Sequence, residues 1–159
     1  MQIVPVPYDH PDVAHLDDLV QREYVERYGE PDDTKLQAHE FDPPSGLYLL
    51  AYDADGTPIA SGGWRSQDQS DEGYADGDAE LKRMYVVPAA RGRGLARRIL
   101  AALEADARAA GRTRMVLESG TEQPEALTLY ASCAYVPHEP KFGLYRFHDE
   151  SRCFVKPLG

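Results

Sequence analysis

The run from Ala79 to Gly111 leaves this chain few options. Ala79, Leu81, Arg83, Tyr85 and Val87 alternate with Glu80, Lys82, Met84 and Val86, the two-residue period of a strand, and Pro88 ends the run by withholding a pairing donor. Arg91-Gly92-Arg93-Gly94 follows, after which Leu95, Ile99, Leu103 and Ala107 form an apolar stripe at helical spacing, with Gly111 as its stop. A strand turned through glycines into a helix leaves the first helical N–H groups unpaired and offers an oxygen-rich group close approach to the backbone. The segment is therefore an anion cradle in type; the plain alternative is a basic turn ahead of a surface helix. It is not a P-loop, since no Gly-Lys-Ser/Thr follows, nor a dinucleotide fingerprint, since Arg97 stands where the third glycine belongs.

Charge points the same way. The chain carries 17 basic and 27 acidic residues, a formal net charge of −10, which argues against a general polyanion binder such as a DNA-coating protein. Between Leu81 and Met115, however, Lys82, Arg83, Arg91, Arg93, Arg97, Arg98, Arg108, Arg112 and Arg114 face only Glu104 and Asp106. An acidic protein with its positive charge gathered in one segment is expected to meet a small anion there, the alternative being a solvated basic helix face. Its 159 residues fit one domain, 1–159, with enough core to fold without a staple. Cys133 and Cys153 form no CxxC pair, so they are expected to be buried thiols and no metal site is expected. With no signal-like N-terminus and no long apolar run, no membrane association is expected and the cytoplasm is the default location.

Elsewhere, Val13, Leu16, Val20, Tyr24 and Tyr28 recur at helical spacing behind Pro11, and Gly29 and Pro31 close that helix. A weaker helix is predicted over Thr34–Glu40, a hairpin over Leu47–Asp53 and Thr57–Arg65, and a surface loop with little to bury over Ser66–Asp78. A short strand over Thr113–Leu117, a helix over Pro124–Cys133 and a last strand over Arg152–Val155 complete an α+β, mixed α/β chain.

The run Glu80–Ala96, ELKRMYVVPAARGRGLA, resembles the acyl-CoA-binding signature of the GNAT superfamily of N-acetyltransferases, Gln/Arg-x-x-Gly-x-Gly/Ala, with Arg91, Gly94 and Ala96 in its defined positions. Ala126–Tyr135, ALTLYASCAY, resembles that family's Ala-Ile-x-Leu-Tyr-x-x-x-Gly-Phe/Tyr segment. Ala134 stands where the family usually has Gly, and Gln123 where an Asn often contacts the cofactor. The resemblance implies a central, mostly antiparallel splayed sheet flanked by helices. It implies acetyl-CoA as cofactor, its pantetheine arm along Met84, Tyr85 and Val86 and its pyrophosphate on Arg91, Gly92, Arg93, Gly94, Leu95, Ala96 and Arg97. The expected activity is transfer of an acetyl group to a primary amine of a small molecule by direct attack in a ternary complex. A non-catalytic acyl-CoA sensor and a protein or peptide acceptor are the alternatives, and a homodimer is left open.

That reaction needs a base for the amine, donors for a developing oxyanion and an acid for the leaving thiolate. By resemblance the backbone near Met84 holds the oxyanion, and Tyr130, whose phenol keeps its proton at neutral pH, is the acid. Glu80 matches a carboxylate found on this strand in several family members, but it lies roughly 13 Å of extended chain from Met84. Glu118, at the end of the next strand, is the other candidate base. The irregular stretch Pro137–Arg152 holds His138, Lys141, Tyr145, Arg146 and His148; the resemblance implies that it is the loop covering the acceptor, where Arg146 or a histidine would hold a substrate carboxylate, the alternative being a solvated side chain.

Overall fold

A computed structural model describes residues 1–159. The strands are β1 (Gln2–Pro5), β2 (Gly46–Tyr52), β3 (Pro58–Gln67), β4 (Asp78–Val86), β5 (Arg114–Gly120), β6 (Val136–Pro137) and β7 (Ser151–Pro157). The helices are α1 (Pro11–Tyr28), α2 (Leu95–Ala109) and α3 (Pro124–Ser132). One seven-stranded sheet runs in the order β1-β2-β3-β4-β5-β7-β6, antiparallel except for β4 against β5. This is the α+β, mostly antiparallel architecture expected. No helix is long and apolar enough to cross a membrane.

Both faces of the sheet are covered. Val13, Leu16 and Val20 of α1 pack with Phe41, Tyr48, Leu50 and Tyr85. Ile99, Leu100, Leu103 and Ala107 of α2 pack on the opposite face with Trp64, Leu81, Met115 and Leu117. Helix α1 starts at His10, whose Nδ1 accepts from the Asp12 N–H, and ends at Gly29, whose φ of 80° lets its N–H turn back to the Val25 carbonyl.

The parallel pairing of β4 with β5 is brief, spanning only Asp78–Glu80 against Arg114–Val116. Beyond it the strands part, and the sheet opens into a V at its centre. On the other flank of β4 the register jumps: Gly63 faces Lys82 but Ser61 faces Tyr85, so Arg83 and Met84 together oppose Gly62. This bulge places Arg83 at φ 58°. It also reverses the faces predicted for β4. Ala79 and Leu81 point to the α2 core, yet Tyr85 joins the α1 core while Met84 and Val86 pack with α2.

Other expectations are corrected as well. Thr34–Glu40 is no helix; only Ala38–Phe41 forms a 3-10 turn. The Asp32 carboxylate accepts from both the N–H and Oγ1 of Thr34, but the Lys35 carbonyl that follows accepts from Arg65 Nη1 of β3 rather than from a helical N–H. The 66–78 segment does bury two side chains, Tyr74 against Phe142 and Asp78 against Arg114. Cys153 is buried, whereas Cys133 is only half-buried. Strand β1, unpredicted, pairs along β2.

Candidate active site

At the end of β4 the chain turns through Pro88–Ala90 and then through Gly92 (φ 83°) and Gly94 (φ 76°) into α2. These are left-handed conformations that glycine adopts without strain. The backbone N–H groups of Gly92 through Arg97 find no acceptor within the chain. Consecutive free amides at a helix start, with open space where a Cβ would stand on Gly92 and Gly94, form a concave seat for an anion. The positive charge predicted for this region divides on inspection. Arg112 and Arg114 pair with Asp68 and Asp78, and Arg108 donates to the Leu158 carbonyl, so these three tie down the far end of α2. Lys82 and Arg83 lie on β4, and Arg91, Arg93, Arg97 and Arg98 remain in or beside the turn and the first turn of α2. Arg91 reaches Glu23 at 3.0 Å and Arg97 donates to Ser132 Oγ at 2.6 Å, drawing α1 and α3 toward it.

Two cavities meet in the V between β4 and β5. The first is a groove running from the cradle, lined by Tyr85, Val86, Arg91, Gly92, Gly94, Leu95, Ala96 and Arg97 and, across from them, Leu129. The second is a cleft lined by Asp32, Lys82, Arg83, Glu118, Tyr145 and His148, among others. Tyr24, Met84, Gln123, Ala126 and Tyr130 line both. Gln123 does not cap α3 through its side chain; its amide donates to the Tyr28 hydroxyl at 3.3 Å. Arg93 lines neither cavity and lies 3.7 Å from Asp53.

The two candidate carboxylates have opposite surroundings. Glu80 is 2% exposed, accepts from Arg65 Nε and Gln67 Nε2 at 2.8 Å, and lies 3.6 Å from Lys82 Nζ. Burial alone would push its carboxyl up, but Lys82 and Arg65, with those hydrogen bonds, outweigh burial and hold it below the usual range. It lines neither cavity. Glu118 sits inside the cleft, where burial pushes it up to about 7 against the opposing pull of Lys82 and of the Tyr145 N–H, which donates to Oε2 at 3.0 Å. Burial likewise pushes the Tyr130 phenol above its ordinary value; that hydroxyl has no hydrogen-bond partner in the chain and borders both cavities.

The acetyltransferase (GNAT) family model matches residues 13–135. The chain belongs to this family. An IAA acetyltransferase from Azospirillum brasilense is 40% identical to this GNAT protein over 82 residues, covering 52% of this chain and 53% of the relative, so the chain spans about half the length of that curated relative. A Klebsiella pneumoniae protein assigned as an acyl-CoA N-acyltransferase superposes over 99% of this chain and 97% of its own with a TM-score of 0.78 at 26% identity. A Salmonella typhimurium acetyltransferase, solved with its cofactor acetyl-CoA, covers 100% of this chain and 95% of its own at TM-score 0.70 and 15% identity, a likeness of fold.

Sequence reasoning did not single out Tyr24, Asp32, Lys82 or Arg83 as lining residues. Tyr24 shares its helical stripe with core positions, and Lys82 and Arg83 were visible only as charge. Asp32 carried no signal beyond its place after Pro31. In the structure Arg83 reaches Asp17 at 2.7 Å and Asp32 at 3.4 Å, while Lys82 lies 3.8 Å from Asp32. Burial would raise the Asp32 carboxyl, but Lys82 and Arg83 hold it well below the usual range.

Proposed function

We propose that this GNAT protein is an acetyl-CoA-dependent N-acetyltransferase acting on a primary amine of a small molecule by direct attack in a ternary complex. The observation that carries the reading is the junction of two cavities at Met84 and Tyr130, one floored by free backbone amides and the other holding a carboxyl that titrates near neutrality. The residues fit the cofactor. The amides of Gly92–Arg97 match a diphosphate, and the groove along Tyr85, Val86 and Leu129 matches a pantetheine chain. When bound, acetyl-CoA supplies the acyl group and a thiolate leaving group.

Glu118, ionised above about pH 7, accepts the proton of the attacking amine. Tyr130 keeps its own proton throughout the physiological range and donates it to sulfur. The bulged backbone at Arg83–Met84 supplies the oxyanion donor. Glu80 is a structural anchor in this reading, since Arg65, Gln67 and Lys82 already occupy its carboxylate. Within the cleft Glu30, Asp32, Glu118 and Glu150 outnumber Lys82 and Arg83, which favours a cationic acceptor through the local field.

The test is Tyr130→Phe and Glu118→Gln, made singly, with acetyl-CoA binding followed by calorimetry and acetylation followed across a broad amine panel. Binding should persist in both variants while turnover falls by roughly 10²–10⁴. Binding without turnover in the unmutated protein would instead make it an acyl-CoA sensor.

A further inference from the structure

Three backbone segments that are distant in the chain converge on Tyr145. Its N–H donates to Glu118 Oε2 at 3.0 Å. Its phenol donates to Asp32 Oδ1 at 2.7 Å and accepts from the Asp33 N–H at 2.7 Å. One residue thus joins the segment before β7, the segment after α1 and the carboxylate at the end of β5. Two residues earlier, Gly143 holds φ 89°, and a Cβ added there would run into the Glu118 carboxylate. Glu118 therefore rests directly on the backbone that Tyr145 anchors. Tyr145 is itself only half-buried and Asp33 is exposed; each segment has its own anchor, Phe142 in the core beside β5 and β7 and Asp32 on Gln21, Lys82 and Arg83, and the phenol's two short bonds are the hydrogen bonds that join one segment to the other.

We infer that Tyr145 is a positioning residue, clasping the two segments across the acceptor cleft, holding the Glu118 carboxylate in place and limiting its hydration. This rests on the role proposed for Glu118. The other groups facing that carboxylate are Lys82 and Glu80 on β4, Asp32 after α1, Tyr74 before β4 and Cys153 on β7. Among them only Asp32 is bonded to the Tyr145 side chain. Removing the phenolic oxygen unties the two segments from each other, and more water then reaches Glu118, which already lines the cleft. Because burial is the largest influence on that carboxyl, hydration outweighs the loss of one N–H donor, and its midpoint falls.

The test is Tyr145→Phe, with the Glu118 side-chain carboxyl titrated by carbon-13 NMR in the free protein. The midpoint should drop by about one unit or more toward the ordinary carboxylate range, with the melting temperature nearly unchanged. In turnover, KM for the amine should rise roughly tenfold while acetyl-CoA affinity stays the same. An unchanged Glu118 midpoint in Tyr145→Phe overturns the clasp. Hydrogen exchange in the unmutated protein gives a second reading that needs no variant. The Asp33 and Tyr145 amides should be protected despite the exposure of their segments, and rapid exchange at both also overturns it. Neither readout needs catalysis, so absence of turnover would sink the functional reading while leaving the clasp to be decided on its own.

Discussion

At the residue scale, Glu80 and Glu118 show how placement gives identical side chains opposite surroundings. Glu118 carries its proton higher than the ordinary carboxyl value of 4.5, at about 7. The folded state therefore binds that proton more tightly than the unfolded chain, and stability is lost as pH rises from about 4.5 to about 7. Glu118→Gln removes that loss: the variant should melt above the unmutated protein at pH 8 and with it at pH 4, while kcat/KM of the unmutated protein should climb through pH 7 as Glu118, the proposed base, ionises. Glu80 behaves oppositely. Arg65→Ala strands it without its closest cation at 2% exposure, so chemical denaturation should show a loss of about 3–5 kcal/mol. Ala134 offers a gain instead. It follows α3 at φ 73°, where the Tyr135 N–H returns to the Tyr130 carbonyl in a Schellman turn. Ala134→Gly relieves a left-handed alanine and should raise unfolding stability by about 1 kcal/mol in urea titration.

At the element scale, the strand, cradle and helix from β4 to α2 were readable because each depends on local chemistry: alternation, a proline stop, two glycines and an apolar stripe. The bulge was not. It adds residues to one strand without changing their types, so the two-residue period runs past Arg83 unbroken while the faces exchange in space. The helix expected at Thr34–Glu40 failed for a related reason, since the Lys35 carbonyl is taken by Arg65, a partner from β3 about 30 residues away. The cradle's geometry sets the next prediction. Gly94 is the N-cap of α2 in a left-handed conformation; Gly94→Ala strains it by about 1–2 kcal/mol and tilts the amides that follow. Acetyl-CoA affinity should fall roughly tenfold, with α2 still formed by circular dichroism.

At the scale of the whole molecule, the site exists because β4 and β5 pair for three residues and then separate, and because α1, α3 and the segment before β7 close around the gap. That enclosure was hidden in the sequence. The partners that bury Glu80 come from β3, and those that desolvate Glu118 come from a segment about 25 residues further along the chain. The acidic lining of the cleft gives a prediction at this scale. Rates with positively charged amines should exceed those with neutral ones at low salt, and the gap should narrow as ionic strength rises; equal rates at every salt concentration would remove the argument for a cationic acceptor. The free amides from Gly92 to Arg97 are proposed to seat a coenzyme. Isothermal titration of acetyl-CoA into the unmutated protein tests that seat. One molecule should bind per chain, with affinity weakened in Gly94→Ala but retained in Glu118→Gln. Absence of any binding heat at several temperatures, from a folded sample, would contradict the account.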